Sequence, residues 1–154
     1  MEAEDKIIAA IKSGVISSGN ISLDIIRCLA ISPTPPDVHN ELNYGHAILD
    51  SQDQLNKYIY GYGSMIKHQC DRIFELLQFT STNLATVDYA CGQGFASMFF
   101  FDKHQKSRNI TSSVTLIEPS QIALERSKHT MQCYAPQAKI YTLNKLWTNL
   151  FSLI

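Results

Sequence analysis

Leu84-Ala85-Thr86-Val87-Asp88-Tyr89-Ala90-Cys91-Gly92-Gln93-Gly94-Phe95 decides the fold of this chain. Leu84 to Tyr89 is an apolar-rich run of strand length and reads as a buried strand. Phe95 to Lys103 reads as a helix. Between them the chain turns through Gly92 and Gly94. Glycine serves where backbone must bend tightly and let a ligand approach the main chain, because a β-carbon would stand in the way.

Downstream the alternation continues. Ser107 to Ser113 is polar and reads as a loop, and Val114 to Ile117 as a second strand. Glu118 closes that strand, about 24 positions after Gly94, where a carboxylate can accept hydrogen bonds from two ribose hydroxyls. Pro119 is expected in the first turn of the next helix, which Ile122, Ala123, Leu124 and Met131 pack. Ala138 to Leu143 reads as a third strand. Leu146, Trp147, Leu150, Phe151 and Ile154 are spaced for a last short helix. Strands alternating with helices imply a parallel sheet with crossover helices.

Upstream the chain reads as helical. Ile7, Ile8 and Ile11 recur at helical spacing over Lys6 to Lys12, with Gly14 as the stop. Asn20 or Ser22 is placed to cap a second helix through Leu29. Ser32-Pro33-Thr34-Pro35-Pro36 then breaks the pattern and reads as a linker. Ser51 and Gln54 form a capping box ahead of the longest helix. Its apolar stripe runs from Leu55 through Tyr58, Ile59, Tyr62, Met65, Ile66, Cys70, Ile73 and Phe74 to Leu77. Gly61 and Gly63 interrupt it, marking either a close helix contact or a ligand approach. Two segments result: a helical region over 1–50, and the long helix with a partial sheet over 51–154.

At the glycine loop and Glu118 the chain resembles the Rossmann-fold family of S-adenosylmethionine (SAM) dependent methyltransferases. Asp88, Cys91, Gly92 and Gly94 match the family's first motif, with Ala90 where its first glycine usually stands. Glu118 matches the acidic residue that ends the family's second strand. The resemblance implies a loop beside the methionine part of SAM, Glu118 on the ribose, and Pro119 and Ser120 near the adenine. It implies that Tyr58, Tyr60, Tyr62, Lys67 or His68 of the long helix could close over the ligand, although aromatics at helical spacing more often build core. It also implies a three-stranded, partial form of the family's sheet. The motif that usually follows the family's fourth strand is absent, so the chain is expected to be an N-terminal part of a methyltransferase, not catalytic on its own. The apolar run Leu150 to Ile154 fits a fragment. The methyl acceptor is not readable, nor are catalytic residues.

Other readings stay open. Gly92-x-Gly94-x-x-Ser97 approaches the dinucleotide fingerprint, although Asp88 ahead of the loop opposes a pyrophosphate. A non-catalytic interaction module or degenerate remnant would keep the fold without the chemistry. A partial sheet would leave its first strand as an open edge, inviting self-association or a partner.

Composition narrows the classes. Of 154 residues, 45% are hydrophobic and 18% charged, with a formal net charge of −1. That suits a globular core and lacks the basic excess of a nucleic-acid binder. Cys28, Cys70, Cys91 and Cys133 form no close pair and read as reduced thiols. A nucleophilic role for Cys91 would need a lowered pKa and a base. His39, His46, His104 and His129 have no metal-ligand spacing, so no metal is expected. The acidic start Met1-Glu2-Ala3-Glu4-Asp5 is unlike a signal peptide, and no apolar run is long enough for a membrane helix. A cytoplasmic location is the default expectation.

Overall fold

A computed structural model describes residues 4–30 and 38–146. The linker read at residues 32–36 and all but Leu146 of the last short helix lie outside them. The described chain is a mixed α/β structure with a three-stranded parallel sheet and flanking helices. No described helix is long and apolar enough to cross a membrane.

Helix α1 (Lys6–Lys12) starts at Asp5, whose carboxylate accepts from the N–H groups of Ile7 and Ile8. This satisfies donors a helix start leaves free. Helix α2 (Leu23–Leu29) is capped by Ser22 rather than Asn20. The Asn20 carboxamide instead accepts from Ser17 N–H at 2.7 Å, stabilising the turn before it. After the short α3 (Val38–Glu41), residues Asn43, Tyr44 and Gly45 all take left-handed backbone angles.

Helix α4 (Gln52–Glu75) is unbroken. Ser51 Oγ accepts from Gln54 N–H, but Gln54 Oε1 returns to Asp50 N–H at 2.8 Å, one residue earlier than a strict capping box. Both interior glycines make close helix contacts. A β-carbon on Gly61 would stand 2.7 Å from Val38 Cγ1, and one on Gly63 would stand 3.3 Å from Leu23 Cδ1. The apolar stripe is buried over Leu55, Ile59 and Tyr62, whereas Met65, Ile73 and Leu77 face solvent.

The sheet order is β1 (Leu84–Tyr89), β2 (Thr111–Ile117), β3 (Lys139–Leu143), all parallel. Helices α5 (Phe95–Lys103) and α7 (Gln121–Tyr134) lie on one face. There Phe99, Phe101, Leu124 and Met131 share a core with Val114 and Leu116. That core also takes Ile7, Ile16, Leu23 and Ile26, so the first helices and the sheet share one interior. The opposite face carries Val87, Tyr89, Tyr141 and Leu143, all exposed. The reading of Leu84 to Tyr89 as a buried strand is therefore corrected: residues of β1 alternate between half-buried and exposed, because the described crossover helices cover a single face.

The polar run Ser107 to Ser113 is not a loop. Helix α6 (Ser107–Ile110) occupies its first part and β2 begins at Thr111. Ser107 and Thr111 are buried, but their hydroxyls donate to the carbonyls of His104 and Ser107 at 2.5 and 2.7 Å. Hydroxyls satisfied by local carbonyls can be buried without penalty, which makes these polar residues compatible with ordered structure.

Candidate functional site

The loop from Ala90 to Gly94 runs from the carboxyl end of β1 into α5. Ala90, Gly92 and Gly94 have φ of 53, 53 and 83°, in the left-handed region. Alanine tolerates that region at a cost of about 1 kcal/mol. The two glycines serve different needs. A β-carbon on Gly94 would meet Ser127 Cβ at 3.1 Å, so this glycine lets the loop pack onto α7. Around Gly92 nothing lies within 4 Å of that position, so its backbone faces open space.

Glu118 ties the two strand ends together. Its Oε2 accepts from Gly92 N–H and its Oε1 from Ser120 N–H, both at 2.9 Å. It follows the last residue of β2 and is 8% exposed, so this strand-end carboxylate is buried. Each carboxylate oxygen has two acceptor directions, so one per oxygen remains for a ligand hydroxyl. The Gly92 donor is engaged by a charge of the chain itself rather than left for an anion.

Pro119 lies ahead of α7 rather than in its first turn. Ser120 is the cap, with Oγ accepting from Ala123 N–H at 3.2 Å. The Ser120 hydroxyl also donates to the Leu49 carbonyl, tying the segment before α4 to the start of α7. Asn144 donates to the carbonyls of Glu118 and Pro119 at 3.2 and 2.9 Å, so the end of β3 braces the same corner.

Asp88 points to the helix-covered face. Ser97 Oγ donates to its Oδ2 at 2.6 Å, and burial pushes the carboxyl pKa up. Cys91 is buried, with its N–H on Ile117 O at 3.1 Å. Burial, aided by the charge of Asp88, pushes its thiol up to about 12. A thiol so raised is not an activated nucleophile.

Of the residues considered on α4, Tyr58 reaches Phe95, which follows the loop. The Tyr58 ring stacks on Phe95 at 6.1 Å and packs against Tyr62 at 5.0 Å. Burial raises the Tyr58 pKa, and the charge of Glu118 adds to that shift. Tyr62 hydrogen-bonds His39 Nδ1 at 3.0 Å. Tyr60 instead lies beneath Arg27, Lys67 pairs with Asp71, and His68 is exposed. No group of three metal-ligating side chains occurs among the described residues.

The sequence reading missed a buried network behind the loop. Arg126 Nε donates to Asp5 Oδ2 and its Nη1 to Gln93 Oε1, both at 2.7 Å. Gln93 Nε2 in turn donates to Leu55 O at 2.8 Å. The loop residue Gln93 is thus fixed by α4 and α7 directly and, through Arg126, by the cap of α1. The one sequence signal was a charge inside the apolar periodicity of α7, which calls for a partner.

No protein-family model, curated protein or solved structure matches this chain. The site is read from its own geometry.

Proposed function

We propose that the corner formed by the glycine loop and Glu118 binds the nucleoside of S-adenosylmethionine, as the SAM-binding part of a methyltransferase with a Rossmann-like sheet. The observation that carries this reading is the Glu118 carboxylate, held by Gly92 and Ser120 N–H groups beside the open space over Gly92. Glu118 is oriented before any ligand arrives, and its remaining acceptor directions suit a ribose diol. Fixing such a group in advance lowers the cost of binding.

Charge favours SAM over a dinucleotide. Glu118 fills the Gly92 donor that a pyrophosphate would use, and its own charge repels phosphate. Arg126 reaches the loop through Gln93, but Asp5 neutralises it. Asp88 and Glu118 suit a ligand with positive charge. SAM, when bound, supplies an activated methyl group on a sulfonium, and this chain's part is to hold and orient it.

A second reading, a non-catalytic interaction module, draws on the exposed Val87, Tyr89 and Tyr141 of the open sheet face. Calorimetry with SAM and, separately, with NAD tests both. Binding of SAM alone supports the first reading. Binding of neither favours the module.

A further inference from the structure

Helix α1 is seven residues long and buries only Ile7 and Ala10 within its span. A helix of that length is unstable in water on its own. α1 is therefore either docked and helical or undocked and unfolded, a two-state element. Asp5 serves both sides of that choice. Its Oδ1 caps α1 through the N–H groups of Ile7 and Ile8, and its Oδ2 accepts from Arg126 Nε at 2.7 Å.

The buried guanidinium carries the contact onward. Its Nη1 donates to Gln93 Oε1 at 2.7 Å, and Gln93 Nε2 donates to Leu55 O at 2.8 Å. An amide suits both ends of this relay, since it accepts from the cation and donates to the carbonyl. Gln93 stands between Gly92, whose N–H meets Glu118, and Gly94, which packs on Ser127. A shift of Gln93 therefore disturbs the bond between Gly92 and Glu118.

We infer that α1 is a latch on the ligand corner: docked through Asp5 and Arg126, it holds Gln93 and so the loop that faces Glu118, and ligand binding and α1 docking favour one another. When α1 undocks, Asp5 leaves with it. Arg126 then stands in the interior without its counter-charge, a costly state that it relieves by turning to water and dropping Gln93. The loop loses a fixed point, and the cost of ordering it falls on the ligand. The coupling is reciprocal. Whatever factor α1 docking adds to ligand affinity, the ligand adds to α1 docking. The identity of the ligand rests on the proposed function, whereas the latch can be read without a ligand.

Amide hydrogen exchange on the whole chain, resolved by residue, tests this. Saturating SAM should slow exchange at residues 9–12 of α1 by about tenfold. Gln93→Met leaves the Asp5–Arg126 pair in place and cuts the relay. In that variant α1 should stay protected, SAM should bind about tenfold more weakly, and the slowing at residues 9–12 should vanish. A merely structural role for Gln93 would not uncouple the two. Asp5→Asn keeps an oxygen for Ile7 and Ile8 N–H but turns its NH2 on Arg126 Nε. Without any ligand it should speed exchange of the Gly92 N–H by about tenfold. Ile26→Val, in the same core but outside the relay, should leave that exchange unchanged. Unchanged Gly92 exchange in Asp5→Asn would overturn the latch, whether or not SAM binds. Binding of SAM with no change at residues 9–12 would overturn the coupling. No binding of SAM, with Gly92 exchange accelerated in Asp5→Asn, would overturn the SAM reading and support the latch.

Discussion

Gly92 donates its backbone N–H to the Glu118 carboxylate at 2.9 Å, so one side chain fixes the loop after β1 against the end of β2. Removing Glu118 therefore has two effects. Glu118→Ala leaves the Gly92 and Ser120 N–H groups without an acceptor and should cost about 2 kcal/mol of stability. Glu118→Gln keeps one acceptor oxygen but turns its NH2 on the other backbone N–H, so it should cost part of that stability, and it should bind SAM about 10–100-fold more weakly. Urea unfolding and calorimetry on both variants check the two effects. Undiminished SAM affinity in Glu118→Gln would remove the ribose assignment.

Ala90 sits at φ 53°, where glycine is the natural occupant. Ala90→Gly should stabilise the fold by about 1 kcal/mol, as relief of left-handed strain outweighs the lost chain stiffness. Gly94→Ala should act in the opposite sense, through both its φ of 83° and the 3.1 Å approach to Ser127. Thermal melts of the pair give the sign of each.

The Arg126–Asp5 ion pair is buried on both sides. Asp5→Ala would strand a guanidinium in the interior and should cost about 3–5 kcal/mol. Arg126→Met with Asp5→Asn should recover most of the loss, because both charges leave together and the introduced amide can still accept from Ile7 and Ile8 N–H. Loop order would still suffer, since Gln93 loses its donor. Denaturation midpoints of the single and double variants test this coupling.

Burial raises the Asp88 pKa above its ordinary value of 3.8. The folded state then holds the proton more tightly than the unfolded chain. The stability this contributes is complete below pH 3.8 and is lost as pH rises through the folded value. Asp88→Asn should therefore stabilise the fold at pH 7, with the gain shrinking toward pH 4. Stability curves of both proteins against pH check the sign.

The Cys91 thiol, at about 12, has almost no thiolate at pH 8. Iodoacetamide should label the exposed Cys28 and spare Cys91 until the chain unfolds. Mass mapping after a timed reaction reads this directly. Rapid labelling of Cys91 would contradict its burial.

Much of this was legible because local rules and packing agreed. The change of period at Leu84, the two glycines and the length of α4 follow from nearest-neighbour chemistry, and β1 and α5 span the residues their patterns indicate. Glu118 was legible as a carboxylate at a strand end, but not as a buried brace, since its partners are backbone N–H groups that composition does not display. Ser107 to Ser113 misled because its hydroxyls are satisfied by carbonyls within a few residues, an outcome polarity alone does not foretell. Pro119 suited a first helical turn, yet Ser120 beside it is the stronger cap. The roles of Gly61 and Gly63 depend on Val38 and Leu23 arriving from elsewhere. The Asp5–Arg126 pair joins residues 121 positions apart and has no local signature.

That separation also orders events during synthesis. Asp5 leaves the ribosome on the order of ten seconds before Arg126. Until then α1 has no partner for its cap, and Ile7, Ile16 and Leu23 have no complete interior to enter. The nascent chain must carry these side chains exposed until α7 emerges, so the segment from α1 to α2 is expected to depend on chaperone shielding during synthesis.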